Sequence, residues 1–490
     1  MKQWLGYMCA IGIGLIAGLM FADTDLGDSA RGSLVIVRNN ALEVVADAAD
    51  LGTRELVLAE NPELIPRFAK GGAFGGEYSI AAAQNMFGRV DSAIEDVNEK
   101  TKLIEVAPDS YLIRMPIVNA AFFDTDEGIV LVDTGMAPAG PAILNAIRSV
   151  SDKPIHTIIY THGHVDHAYG TWAITEAGET PEIIAHSALK PRFERYLRLR
   201  GSIAKYMSQP EEQLPRNESD LVWPTRYFDD RLELTIGGET FVLQHHRGET
   251  DDQLYVWAAD RKVLASADYY QGFLPNAGNG KRVQRYVEEW AVAMREMAAL
   301  EPVALLPAHG EPLTDTTSIV LNFTILADAL QHIVDHTIDG LNAGKRKDLI
   351  YQSVELPEHL AGHPTLNIQY VTPADISKMV MKQYSGWWDD IPSQWSPAPV
   401  ADQGEMIITL AGGNMDAIIA FARGLIGEDI RLASHLTDWL FYARPNDPEV
   451  QTLVFDVYKT RILDPSSNTM EMLTYLDQMT EARARSRRSG

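Results

Sequence analysis

The segment Thr161-His162-Gly163-His164-Val165-Asp166-His167 restricts this chain more than any other stretch of it. It puts three histidines and an aspartate within six residues, directly after the apolar run 156–160, which reads as a buried strand. So many ionisable groups at the end of a core strand are costly to desolvate unless a cation pairs with them. In a loop, side chains 162 and 164 can converge on one ion while 166 and 167 reach a second. Imidazole and carboxylate donors suit zinc, with iron or manganese as the other metals of that chemistry. A thiolate site is excluded, because the single cysteine, Cys9, lies inside an N-terminal apolar run; for the same reason no intrachain disulfide is expected.

A two-metal site needs about seven protein ligands, so the rest must come from later in the chain. Three candidates stand where apolar runs stop: Glu249 after the run ending at Leu243, Asp268 after 263–265, and His309 after 303–306. The expected set is therefore His162, His164, Asp166, His167, Glu249, Asp268 and His309. We assign His162, His164 and Glu249 to one ion, and Asp166, His167, Asp268 and His309 to the other, with Asp268 able to bridge. Asp166 and Asp268 are the carboxylates expected to serve the reaction as well. Asp133, in Asp133-Thr134-Gly135, is read as a support behind the ligands. His246 is the competitor of Glu249 for its place.

Around these residues the pattern alternates. Short β-rich runs at 103–106, 110–114 and 121–123 lead to a continuous apolar strand at 128–132, a helix over 139–150 and the strand 156–160, a βαβ unit. Further strands are expected at 182–185, 240–243, 254–257, 263–265 and 303–306, most of them ending in a polar residue, as α/β folds do where they build sites. After His309 the apolar spacing turns helical, and a Pro- and Trp-rich stretch at 387–399 reads as a linker. Residues 404–480 read as four or five helices broken by glycines and Pro445. At 490 residues the chain is too long for one core. The expected division is 1–22 as signal peptide or membrane anchor, 23–100 as a wrapping segment, 101–317 as the catalytic domain, 318–399 as helical connection and linker, and 400–482 as a helical domain.

The apolar run 4–21 follows Lys2 and precedes an acidic stretch, the pattern of an export signal that is also just long enough to span a bilayer. Either use puts the body outside the cytoplasm, periplasmic or secreted, or tethered to the membrane by residues 4–21. The formal charge of -25 argues against nucleic acid as a partner and means that an anionic ligand needs a locally basic site. Such a site is offered by Lys281, Arg282 and Arg285, with Asn276 and Asn279 as neutral donors. The structural alternative for that cluster is a solvated turn opening the helix 286–299.

The motifs together resemble a family. Asp133-Thr134-Gly135, the His162–His167 loop, Gly248-Glu249-Thr250, Asp268 and Pro307-Ala308-His309-Gly310 resemble the metallo-β-lactamase fold, an αββα sandwich. Glutamate at 249, where most members have histidine, with a second carboxylate at 268, is similar to the alkyl sulfatases. Their linker is echoed by Tyr384-Ser385-Gly386-Trp387-Trp388-Asp389, and their helical dimerisation domain by Leu410-Ala411-Gly412-Gly413, Gly427-Glu428-Asp429 and Pro445-Asn446-Asp447. The resemblance covers about residues 100–480. Asp268 departs from the usual glutamate, residues 269–282 do not match the sulfate-binding stretch, and no sterol-carrier-like domain is expected before Gly490. The resemblance implies an α/β sandwich followed by an all-α dimerisation domain, a homodimer formed through that domain, and a small-molecule ester as substrate.

The chemistry expected is hydrolysis by a metal-bound hydroxide, most readily of sulfate esters of aliphatic alcohols. The alternative on the same metals is hydrolysis of carboxylic esters, lactones or phosphoesters. A scaffold with a vestigial loop is the reading from another class. By formal charges, two dications, three carboxylates and a hydroxide sum to zero, so a sulfate ester would need a further cation, and the 281–285 cluster is the candidate.

Overall fold

The computed structural model describes residues 52–70 and 79–489. The export or anchor segment expected at 1–22 lies outside the described residues. Two compact units are present: residues 79–396, and residues 52–70 together with 397–489.

The first unit is a sandwich of two sheets. Seven strands form one sheet in sequential order: β1 (Lys102–Ala107), β2 (Ser110–Arg114), β3 (Asn119–Thr125), β4 (Gly128–Val132), β5 (Ile155–Ile159), β6 (Glu182–His186) and β7 (Arg226–Phe228). The other sheet runs β12 (Ala304–Pro307), β11 (Val263–Ala267), β10 (Leu254–Ala258), β9 (Glu239–His245), β8 (Arg231–Ile236). β4 and β5 pair in parallel across the helix Gly140–Arg148, which confirms the βαβ unit. Alternation along the strands builds two cores. Leu112, Phe123, Val130, Val132, Ile159 and Ile184 of the first sheet face Phe241, Leu243, Val256, Val263 and Leu306 of the second. Their neighbours Ile113, Phe122, Ile129, Leu131 and Ile158 turn outward, onto Ile143 and Ile147 of the helix Gly140–Arg148. Fully burying one such side chain is worth about 1.5–3 kcal/mol, so both faces of this sheet must be covered.

Two strands were not expected. β7 has only three residues, and β8 reads Arg-Leu-Glu-Leu-Thr-Ile at the sheet edge, with its charged positions in solvent. The helix Thr316–Asn342 is long and apolar enough to cross a membrane, but it packs against the helix Val287–Ala299 and buries Phe323, Leu326, Leu330 and Ile333.

In the second unit, residues 397–489 form five helices, Val400–Leu410, Met415–Leu425, Ile430–Ala443, Pro448–Leu463 and Thr469–Ser489. Most are capped by the residue before them: the side chains of Asn414, Asp429 and Asp447 accept backbone N–H groups of the first turn. The stretch expected to wrap, 23–100, is shared between the units where it is described. The helix Thr53–Glu60 and Leu64 put Val57 and Leu64 into the core of the helical unit, and Arg67 donates to the carbonyls of Ile462 and Asp464 at 3.0 and 2.8 Å. Residues 80–100 instead pack Ala82 and Val97 under the first sheet.

Candidate metal centre

Every expected ligand follows the C-terminal end of a strand at one edge of the sandwich. The loop after β5 carries His162, His164, Asp166 and His167; Glu249 follows β9, Asp268 follows β11 and His309 follows β12. Two triads of donor atoms form, His162–His164–Asp268 and Asp166–His167–His309, each with its atoms within 4.8 Å of one another. Asp268 stands between them. Its Oδ2 lies 3.8 Å from His162 Nε2, and its Oδ1 lies 3.3 Å from both His167 Nε2 and His309 Nε2. Asp268 is thus nearest His167 and His309, the group in which the expected division has it, while its other oxygen reaches the first triad, the bridging position expected for it. Glu249 Oε1 is 4.0 Å from His164 Nδ1.

Hydrogen bonds from outside the site fix which ring nitrogen of His162, His167 and His309 faces inward. Thr161 Oγ1 donates to Asp133 Oδ2 at 2.8 Å, so it accepts from His162 Nδ1 at 3.0 Å and leaves Nε2 for the site. His167 Nδ1 donates to the same Asp133 Oδ2 at 2.8 Å, and His309 Nδ1 to the carbonyl of Ile117 at 2.7 Å. His164 turns its Nδ1 to within 2.9 Å of His162 Nε2. Four imidazole lone pairs thus converge, the arrangement in which outer partners orient metal ligands. Asp133, expected as a support, has this role here.

The backbone is strained where it aims these groups. Asp133, Ala267 beside Asp268, and Ile117 have φ of 63°, 49° and 78°. Such values cost about 1–3 kcal/mol each in a residue with a side chain, and for a β-branched residue they are rare. Asn119 compensates at Ile117: its side-chain amide donates to the carbonyls of Pro307 and Gly310 at 3.0 and 2.9 Å, tying β3 to the His309 loop.

The electrostatics call for cations. His167 Nε2 and Asp268 Oδ1 are buried and neither makes a hydrogen bond of acceptable geometry, although they are 3.3 Å apart. Burial holds His162 and His164 well below the ordinary imidazole range. Burial also opposes charge on His167 and His309, yet Asp268 raises them, His309 to about 9. Asp268, which burial alone would raise, is in turn held well below the carboxylate range by those two rings. Buried imidazoles and a buried carboxylate that depend on one another for opposite charge form a donor set that bound metal ions would satisfy. The residues fit a binuclear centre of nitrogen and oxygen donors.

The expected substrate cluster divides. Arg285 is buried and its guanidinium is paired with Glu249, so it is not a free cation. Arg282 has no carboxylate partner among the described residues; its Nη1 reaches only the Lys281 carbonyl, at 3.4 Å, and burial and the nearby Arg285 lower its pKa. Asn279 Oδ1 accepts the Lys281 N–H at 3.1 Å, and the buried Asn276 leaves its Oδ1 without a partner. His246, the competitor for the Glu249 position, points its Nε2 at Glu296, 2.6 Å away. A residue missed from sequence is Gln271: its amide donates to Glu249 Oε2 at 3.1 Å, with Asp268 Oδ2 at 3.5 Å, and its carbonyl accepts the Asn276 N–H at 3.2 Å. Only its nearness to Asp268 in sequence could have marked it.

Residues 114–309 match the family model of the metallo-beta-lactamase superfamily, and residues 347–485 that of alkyl sulfatase dimerisation. A linear primary-alkylsulfatase of Pseudomonas sp. (strain ATCC 19151) is 28% identical over 343 residues, 64% of this chain and 65% of that protein. The alkyl/aryl-sulfatase BDS1 of Saccharomyces cerevisiae is 23% identical over 386 residues, 72% of this chain and 60% of that protein. The chain thus spans less than two thirds of the length of these curated relatives. The solved structure of the inverting sec-alkylsulfatase Pisa1 from Pseudomonas sp. superposes with a TM-score of 0.69 at 20% identity, over 87% of this chain and 77% of that one, a likeness of fold. The chain carries a metallo-β-lactamase domain followed by an alkyl sulfatase dimerisation domain.

Proposed function

We propose that the chain is a binuclear metal-dependent hydrolase of sulfate esters of aliphatic alcohols, with zinc as the metal. The observation that carries the metal half is Asp268, whose Oδ1, without a hydrogen bond, faces two imidazole nitrogens of one triad while its Oδ2 faces the other. The sulfate half is supported by the names of the alkylsulfatase relatives and by the local charge. When bound, two divalent ions supply Lewis acidity: they acidify water and stabilise negative charge that develops on a departing oxygen.

The chain's own residues do the rest. His162, His164, Asp166, His167, Asp268 and His309 hold the ions, with Glu249 at the edge of the first triad. Asp166 and His164 are the most exposed of the ligands, with side-chain exposures of 17% and 15%, so an ester enters past them. Asp166 is then the carboxylate placed to orient an incoming water. Arg285 is paired with Glu249, so Asp166 and Asp268 are the carboxylates left to two bound ions, with Asp133 behind His167 as a third. With a hydroxide the formal charges still sum to zero, and the cation an anionic ester needs would come from Arg282, within electrostatic reach of Asp166 and Glu249.

The test is zinc-loaded protein assayed against alkyl sulfates, lactones, carboxylic esters and phosphoesters, with elemental analysis of the same sample. Two zinc ions per chain and turnover of alkyl sulfates are expected. One ion or none overturns the binuclear centre, and cleavage of lactones or phosphoesters without alkyl sulfates overturns the substrate class alone. Export, or tethering by residues 4–21, is proposed from that segment's composition.

A further inference from the structure

A buried ion pair outside the ligand set braces the loop that carries His162 and His164. Arg192, in the helix Leu189–Arg198, and Asp252, between β9 and β10, have side-chain exposures of 3% and 0%. Arg192 Nε donates to Asp252 Oδ1 at 2.9 Å, and Nη2 takes the more exposed Asp251. The second oxygen of Asp252, Oδ2, accepts the backbone N–H of Gly163 at 2.7 Å. Gly163 is the residue between the two histidines, so its backbone sets how their rings meet. A Cβ there would lie 2.9 Å from Arg192 Cδ and 3.3 Å from Asp252 Oδ2, which shows how closely the pair covers the loop.

Removing two charges from water costs more than a buried pair usually returns in stability. A pair kept in the interior with one oxygen spent on a single amide is better explained by what that amide does. We propose that Arg192 is a positioning residue for the His162–His164 half of the centre, acting through Asp252 on the Gly163 backbone. It orients Asp252, and Asp252 holds the loop so that His162 Nε2 and His164 Nδ1 face each other at 2.9 Å. His167 rests on Asp133 and His309 on the Ile117 carbonyl, and neither support runs through Asp252 or Gly163, so the effect falls on one ion. The positioning role rests on the reading of the site as a metal centre; the brace itself does not.

The experiment compares Arg192→Met, Asp252→Ala and Arg192→Lys with wild type, and uses Asp251→Asn to remove only the outer arm. In metal-free protein, amide exchange at Gly163 is expected to quicken at least about tenfold in Arg192→Met and Asp252→Ala and to stay unchanged in Asp251→Asn. In stepwise zinc titration, one dissociation constant is expected to rise about ten- to a hundredfold in the same two variants while the other keeps its wild-type value. Arg192→Lys recovers part of the loss, since lysine keeps the charge and not the fork. Melting temperatures identify any variant that does not fold, and Arg192→Lys then carries the comparison. Unchanged Gly163 exchange overturns the proposal, and so does equal weakening of both ions. A wild-type chain that takes up no zinc overturns the metal reading, and the positioning role with it, while the exchange result still decides the brace.

Discussion

Arg282 and Arg285 are three residues apart and do different work, which makes them separable by substitution. Arg285 spends its charge on Glu249, whereas Arg282 has no carboxylate partner among the described residues and stands within electrostatic reach of Asp166. Arg282→Ala is therefore expected to slow sulfate-ester hydrolysis about ten- to a hundredfold, the loss of one charge-assisted contact of roughly 1.5–3 kcal/mol, and to spare a neutral ester. Arg285→Ala leaves a buried carboxylate beside His164 and is expected to lower zinc retention and the turnover of both esters. Equal effects of Arg282→Ala on charged and neutral esters would mark it as structural. The residues that converge on the candidate centre were legible in sequence because the requirement is local: an ionisable residue where an apolar strand stops. Gln271, Thr161, Arg192 and Asp252 were not singled out, because each works through a partner that only the folded chain brings near.

Two element contacts illustrate what can and cannot be read ahead of the fold. β6 ends at His186 in one sheet and β9 at His245 in the other, and the two rings stack with centroids 3.6 Å apart at 14°. Burial and the neighbouring His186 lower the His245 pKa from 6.5 to about 4. The folded state thus binds this proton less readily than the unfolded chain, so its contribution is complete above about pH 6.5 and is lost as pH falls toward 4. A phenylalanine at 245 keeps the stack and cannot charge. The melting temperature of His245→Phe relative to wild type should therefore rise between pH 6.5 and 4.5; a constant offset would show that His245 does not contribute to the acid loss. In the helical unit, Val400–Leu410 meets Ile430–Ala443 at Gly404, where a Cβ would stand 2.1 Å from the Trp439 carbonyl oxygen. Gly404→Ala should destabilise that unit by about 1–3 kcal/mol or more, as overpacking does, measured by denaturant unfolding. The continuous apolar strands of the interior were legible because burial on both faces fixes their composition. β8 was not, since its charged residues lie on the outer edge, and neither was Gly404, whose spacing says nothing about the carbonyl opposite.

At the scale of the whole molecule, the helical unit presents an apolar face to solvent. The helices Val400–Leu410 and Met415–Leu425 turn apolar side chains outward: Leu410 is 77% exposed and Phe421 64%, with Met406, Leu432 and Tyr442 also in solvent. Large exposed side chains gathered on neighbouring helices are a signature of an interaction surface. The matched dimerisation model spans 347–485, so it includes them, and a second copy of the chain is the occupant we expect. A two-fold contact pairs the same patch on both copies, and a stable one covers about 800 Å² per partner. Light scattering at micromolar concentration should accordingly give twice the 54.3 kDa chain mass. Leu410→Asp combined with Phe421→Asp puts like charges into the contact twice, once from each copy, and should give monomers. Because the metal centre lies wholly within residues 79–396, those monomers should keep the zinc content of the dimer. A double variant that stays dimeric at the wild-type dissociation constant would place the contact elsewhere on the chain. Monomers that lose zinc in step with dissociation would instead show that assembly supports the centre.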